Sequence, residues 1–187
     1  MTDRRIRRTK KNVYTALASL LFEKDIRNIT VKELCEKADI NKSTFYLHFL
    51  DIYDCKEKWQ SEIYEEILSS VHDLSLEEIV NSPTAYIDSI VTYFNENIEF
   101  YRKLMRSALA AEFSYNLKDK LRQRIIASNA LETERNRREI SMVAFVMGGL
   151  IDACIINLTA FDADDIGEAL QFVGESIIDL LKERKLA

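Results

Sequence analysis

Lys42, Ser43, Thr44, Tyr46 and His48 are the side chains most able to do chemistry in this 187-residue chain, because they fall within one short segment. Hydroxyls, an ammonium group and backbone N–H groups gathered at the start of a helix suit phosphate oxygens and base edges, since the helix dipole favours anions there. The same residues are poorly suited to turnover. Neither His48 nor His72 has a Ser or Cys beside it in a nucleophile motif, no phosphate-binding loop is present, and the carboxylates are scattered along helix surfaces. The chain is therefore read as a non-enzyme. Cys35, Cys55 and Cys154 are isolated, and with the two histidines they make no zinc spacing. They read as reduced thiols of a cytosolic protein, packed as small hydrophobes, and neither a metal nor a cofactor is expected.

Charge is distributed unevenly about this segment. Residues 1–60 carry 13 Lys and Arg against 9 Asp and Glu, whereas residues 61–187 carry 13 against 22, so a +4 head leads a −9 body. Within the first twelve residues Arg4, Arg5, Arg7, Arg8, Lys10 and Lys11 face only Asp3. Such asymmetry fits a chain whose one end meets a polyanion, although a solvated helix start has the same composition.

The elements that position these groups must be helices. Four Gly and one Pro leave almost nothing from which to build the turns of a sandwich or barrel. No uncharged apolar stretch of about 18 residues occurs, and Met1-Thr2-Asp3-Arg4-Arg5 is not a signal core, so a soluble cytoplasmic protein without membrane contact is expected. Val13, Ala16, Leu17, Leu20 and Leu21 predict an amphipathic helix over residues 5–23. Thr30 and Glu33 have the spacing of a capping box ahead of Val31, Leu34, Cys35 and Ala38, and Asn41 offers a second N-cap at once. Two short helices thus meet across a tight turn, with Phe45 and Phe49 directed inward and the polar residues outward. This is the layout of a helix-turn-helix, whose second helix reads the major groove.

The run Ile29-Thr30-Val31-Lys32-Glu33-Leu34-Cys35-Glu36-Lys37-Ala38-Asp39-Ile40-Asn41-Lys42-Ser43-Thr44-Phe45-Tyr46-Leu47-His48-Phe49 resembles the DNA-binding signature of TetR/AcrR-type transcriptional regulators, with homology over about residues 8–65. The resemblance implies an all-α chain. A three-helix helix-turn-helix DNA-binding domain with a basic N-terminal arm would occupy residues 1–50, and a helical effector-binding and dimerisation domain residues 51–187. It also implies that Thr30 and Lys32 touch the DNA backbone, that Lys42, Ser43 and Thr44 approach bases, and that Tyr46 and His48 grip phosphates, with Asn41 among the DNA-binding residues and Arg4, Arg5 and Arg8 adding charge. The alternative for Tyr46 is a core ring with a wet hydroxyl, and for His48 a surface ring bonded to the backbone. Three positions depart from the family. Asp39 replaces the usual turn Gly, Cys35 the usual Ala, and Ile52 a Lys that often reaches a phosphate.

Asp51 is the expected cap of a fourth helix carrying Ile52, Cys55, Trp59, Ile63, Ile67 and Val71, and Asn81-Ser82-Pro83 marks a break. Later helices are expected at about 84–98, 98–108, 111–130, 132–160 and 163–184. In the last two, Ile140, Val143, Met147, Leu150, Cys154 and Leu158 form one stripe, and Ile166, Leu170, Val173, Ile177 and Leu180 another, at the spacing of left-handed helix packing. Asp162, Asp164, Asp165, Lys182, Arg184 and Lys185 have signs that suit the last helix's dipole. Gly148, Gly149, Gly167 and Gly174 would allow close backbone approach. By resemblance these helices form a dimer bundle through Met147, Leu150, Cys154, Leu158, Leu170, Val173, Gly174 and Ile177; intrachain core is the alternative. Tyr93, Phe94, Tyr101 and Phe113, with Tyr86, Phe100 and Tyr115 nearby in sequence, supply candidates for an effector pocket, although simple core has the same spacing. The function expected is a homodimeric, ligand-responsive repressor of double-stranded palindromic DNA. A competing class is a protein-interaction adaptor of the same fold with weak or no DNA binding, and the absent Lys at Ile52 is the residue in its favour.

Overall fold

The computed structural model describes residues 2–70, 83–128, 134–161 and 166–185. Among the described residues the regular structure is helical throughout: α1 (Thr2–Glu23), a 3-10 turn (Ile26–Asn28), α2 (Val31–Lys37), α3 (Lys42–Tyr46), α4 (Ile52–Ser70), α5 (Pro83–Glu96), α6 (Ile98–Met105), α7 (Ala110–Ser128), α8 (Glu134–Thr159) and α9 (Gly167–Lys185). Helix α1 begins three residues earlier than its apolar periodicity requires, so the basic residues expected as an arm are turns of a helix. Helix α9 begins later than expected. Asp162, Asp164, Asp165, Val71, His72, Asn81 and Ser82 lie outside the described residues, as do the side chains of Tyr86, Val143, Ile177, Leu180, Lys182, Arg184 and Lys185.

The chain divides into two compact units. The first comprises residues up to Ile63 together with Arg106–Ala110, and the second Tyr64–Met105 and the residues from Ala111 onward. In the first unit, Val13, Leu17, Leu20 and Leu21 of α1 share a core with Leu34, Cys35, Phe45, Phe49, Ile52, Cys55 and Trp59, all buried. The Phe45 and Phe49 rings lie 5.2 Å apart, and Tyr14 closes on Phe49 at 5.8 Å. Each short helix is started by a side chain. Thr30 Oγ1 accepts the Glu33 N–H at 3.2 Å, Asn41 Oδ1 accepts the Thr44 N–H at 2.7 Å, and Asp51 Oδ1 accepts the Asp54 N–H at 2.8 Å. Asp54 reciprocates, its Oδ2 accepting the Leu50 N–H at 2.8 Å.

In the second unit, α5 packs against α9 and α6, and α8 packs against α6 and α9. Gly174 is where α9 meets α5. A Cβ there would stand 2.1 Å from Ile87 Cδ1, so only the missing side chain lets the two helices approach. The Asn95 side chain adds a polar tie by accepting the Ile166 N–H at 3.2 Å. Met147, Leu150, Cys154, Leu158, Leu170 and Gly174 are buried inside this unit, while Val173 is half-buried and the side chain of Ile177 lies outside the described residues. Periodicity finds an apolar stripe but not its partner. The opposite face of α8 stays open, with Phe145 82% and Ile156 50% exposed, and Phe172 of α9 is 70% exposed. Ile140–Thr159 has a mean hydropathy of 1.9 and the length of a membrane span by composition alone. Asp152 interrupts that stretch and forms an ion pair with Lys118.

Candidate nucleic-acid interface

The turn between α2 and α3 decides where the polar segment points. After the Ala38 cap, Asp39 adopts φ 54°, the Ile40 N–H reaches back to Cys35 O at 3.0 Å, and the Asp39 N–H reaches Glu36 O at 3.4 Å. These two bonds are the Schellman ending of a helix, and the left-handed residue they require is usually Gly. Asp carries it because its short polar side chain tolerates that region better than most. The chain is thereby reversed into Asn41, the N-cap of α3, without a glycine.

From that reversal, Phe45 and Phe49 fill the core while Lys42, Ser43 and Tyr46 face solvent. Tyr46 is 56% exposed and rests edge-on against Phe45 at 5.4 Å, so its ring is a surface group and not core. Thr44 is half-buried at the helix start. His48 is also half-buried; its ring stands 6.1 Å from that of Phe49 and its backbone N–H donates to Phe45 O at 2.9 Å. Thr30, Lys32 and Asn41 are exposed on the same unit, Lys32 lying 3.9 Å from Glu36. The Thr30 and Asn41 oxygens that cap the helices leave the hydroxyl proton and the amide NH2 as donors for a phosphate or base. Arg4, Arg5 and Arg8 are exposed on the first turns of α1.

Helix α1 is fixed to α4 within this unit. Tyr14 Oη donates to Glu62 Oε1 at 3.0 Å, and Lys10 approaches the same oxygen at 3.4 Å. Burial and the Glu62 carboxylate raise the Tyr14 phenol well above its ordinary range, so the proton stays on the donor. At the other end, Lys24 donates to Glu33 Oε1 at 2.6 Å and holds that carboxyl below its ordinary value.

Ile52, expected on the apolar stripe of α4, is only 6% exposed, so the position where the family often carries a phosphate-reaching Lys is part of the core here. Two features escaped the sequence. Lys58, two turns further along α4, donates to His48 O at 3.1 Å and to Asp54 Oδ2 at 2.9 Å, with its ammonium 5.6 Å from the Phe49 ring centroid. A cation thus closes the end of the polar segment from a position the motif does not include. Leu47 and Leu50 are the second surprise, at 80% and 81% exposed. An alternating pattern in the sequence flags apolar residues that lie inside, and it gives no sign of those left outside.

The effector candidates belong to the second unit. Phe94, Tyr101 and Phe113 line one apolar cavity with Met105, Cys154 and Leu158, and its volume is about 10 Å³, room for roughly one water. Tyr93 joins them through its hydroxyl, 2.8 Å from that of Tyr101. Burial pushes the Tyr101 phenol far up, so this pair is neutral and able to donate. Tyr115, at 71% exposed, lies instead on a groove of about 290 Å³ between α7 and α8, beside Lys118, Arg122 and Gly148. Among the described residues, no group of three or more His, Cys, Asp or Glu is placed to hold a metal.

Two solved structures share this architecture along nearly the whole chain. The dihydroxyacetone kinase operon activator DhaS superposes with a TM-score of 0.59 at 15% identity, covering 93% of this chain and 96% of its own. A TetR transcriptional regulator from Streptococcus agalactiae 2603V superposes with a TM-score of 0.53 at 18% identity, covering 94% and 97%. No family model matches the sequence, and no curated protein does. The chain has the all-α fold of TetR-type regulators, a helix-turn-helix unit followed by a helical body.

Proposed function

We propose that this protein is a homodimeric transcriptional regulator of the TetR type that binds palindromic double-stranded DNA through Lys42, Ser43, Thr44, Tyr46 and His48. The observation that carries the proposal is the Asp39 turn, which buries Phe45 and leaves the hydrogen-bonding groups of α3 exposed on a unit rich in cations. Thr30, Lys32 and Asn41 contact the flanking backbone, and Arg4, Arg5 and Arg8 extend the positive surface along α1. The domain roles follow the two units, DNA binding in the first and effector binding with dimerisation in the second. The protein acts in the cytoplasm and carries out no catalysis.

The open face of α8 supports the dimer. Phe145, Gly149 and Ile156 repeat at helical spacing along it, and a Cβ added at Gly148 or Gly149 would meet nothing within 4 Å. Two adjacent glycines in a helix cost about 1 kcal/mol each relative to Ala, and contacts within the protomer give no return for that cost. Close approach of a second copy does. The effector is a small, mostly apolar molecule received by Phe94, Tyr101 and Phe113, with the Tyr93–Tyr101 hydroxyl pair as its polar contact. The cavity must open to admit it, and that movement is what changes the separation of two recognition helices set about 34–36 Å apart for one DNA turn. Occupation of the operator makes the protein a repressor. DhaS is described as an activator, so a reporter fused to the operator is needed to establish the sign.

Selection from a random DNA pool, followed by titration of the recovered sites against salt, tests the proposal. A palindrome should emerge whose affinity falls about 10³-fold or more between 50 and 200 mM salt. Tyr46→Phe and His48→Ala should weaken all DNA equally, whereas Lys42→Ala and Thr44→Ala should also alter sequence preference. Failure of a folded dimer to recover any DNA would favour the adaptor, for which the buried Ile52 is the supporting observation.

A further inference from the structure

We propose that Leu47 is a specificity-determining residue whose side chain packs against the C5-methyl group of a thymine in the major groove. This rests on the DNA-binding function proposed above. Leu47 is 80% exposed although it lies midway between Phe45 and Phe49, two of the best-packed residues of its unit. Phe45 and Phe49 occupy the inner face, and the Leu47 N–H closes the final turn of α3 on Ser43 O at 3.2 Å. Residues four apart in a helix share a face, so Leu47 stands one turn along the surface that Ser43 presents. A large aliphatic side chain on a surface of hydroxyl, ammonium and imidazole groups has no polar role to play there. A phosphate offers it nothing. Among the base edges of the major groove, only thymine presents an apolar group, and apolar contact with that methyl is an established mode of recognition.

The neighbourhood favours DNA over an apolar protein partner, because the residues flanking Leu47 are Tyr46 and His48 and the unit carries an excess of cations. Leu50 is equally exposed but differently placed. It lies beyond the end of α3, precedes Asp51 and has its N–H bonded to the Asp54 carboxylate, so it does not continue the surface of Ser43 and Leu47. It therefore serves as a control with the same exposed apolar area.

The experiment uses the full-length dimer and the DNA recovered by selection. Each thymine of the site is replaced in turn by deoxyuridine, symmetrically in both half-sites, and binding is measured for wild type, Leu47→Ala and Leu50→Ala. Both substitutions are at exposed positions, and folding is checked by circular dichroism. At one thymine per half-site, loss of the methyl should weaken wild type and Leu50→Ala about fourfold per half-site, the scale of one buried methyl group, and leave Leu47→Ala unchanged. If methyl loss costs Leu47→Ala as much as wild type at every position, or if no thymine methyl matters to wild type, the proposal is wrong while DNA binding stands. If no DNA is recovered by the folded dimer, both fail together.

Discussion

Asp39 holds a conformation in which its Cβ crowds the following carbonyl, a strain that glycine does not have. Asp39→Gly should therefore raise the stability of the protein by up to about 1 kcal/mol, and Asp39→Val should lower it, as read from urea midpoints. The cysteines give a second test at this scale. Burial raises the Cys55 and Cys154 thiols to about 12, and Cys35 is raised as well, so all three are protonated and covered at neutral pH. A thiol-specific disulfide reagent at pH 8 should titrate none of them in the native protein and three in denaturant; fast native labelling of any one would contradict this burial. The caps at Thr30, Asn41 and Asp51 were legible in the sequence because an N-cap needs only a short polar side chain two or three residues before a backbone N–H. Exposure was not. Leu47 is an aliphatic residue inside the motif, and whether it lies inside or outside depends on how α3 turns relative to α1.

At the scale of the helix, Gly174 and Ile87 provide the clearest prediction. Gly174→Ala gains about 1 kcal/mol of helix propensity but drives its methyl into Ile87 Cδ1, and overpacking of this kind typically costs about 1–3 kcal/mol. The single variant should be destabilised, and adding Ile87→Val, which removes that carbon, should recover the loss in thermal denaturation. Lack of recovery would mean that the clash is relieved elsewhere. The stripes in α8 and α9 show both the power of periodicity and its limit. Their apolar spacing correctly marked two long packed helices, yet the stripes meet within one protomer, since α5 and α6 arrive from far away in sequence to cover them. Phe145, Ile156 and Phe172 stay exposed outside these stripes, and core periodicity gives no sign of them.

For the molecule as a whole, the proposed dimer separates protomer stability from association. Gly149→Leu should leave the protomer at least as stable, since a Cβ there meets nothing among the described residues within 4 Å and Leu is the better helix former, while abolishing the dimer in sizing with light scattering at micromolar concentration. A dimer unaffected by Gly149→Leu and by Phe145→Ser would move the interface away from α8. The helix-turn-helix half was more legible than the body, because its caps, turn and buried rings fall within a continuous run of about twenty residues, whereas the body only needs apolar volume in helices.

The continuation of α1 to Thr2 has a consequence of its own. Arg4, Arg5 and Arg8 sit at the end of a helix whose own partial charge is positive, where like charges one turn apart, as at Arg4 and Arg8, are unfavourable. The free protein thus has an electrostatically frustrated first turn, which a phosphate-rich partner would neutralise at the same moment that it is bound. Added salt should then act in two directions, quieting the end of the helix in the free protein, seen as slower amide exchange, while loosening its grip on DNA.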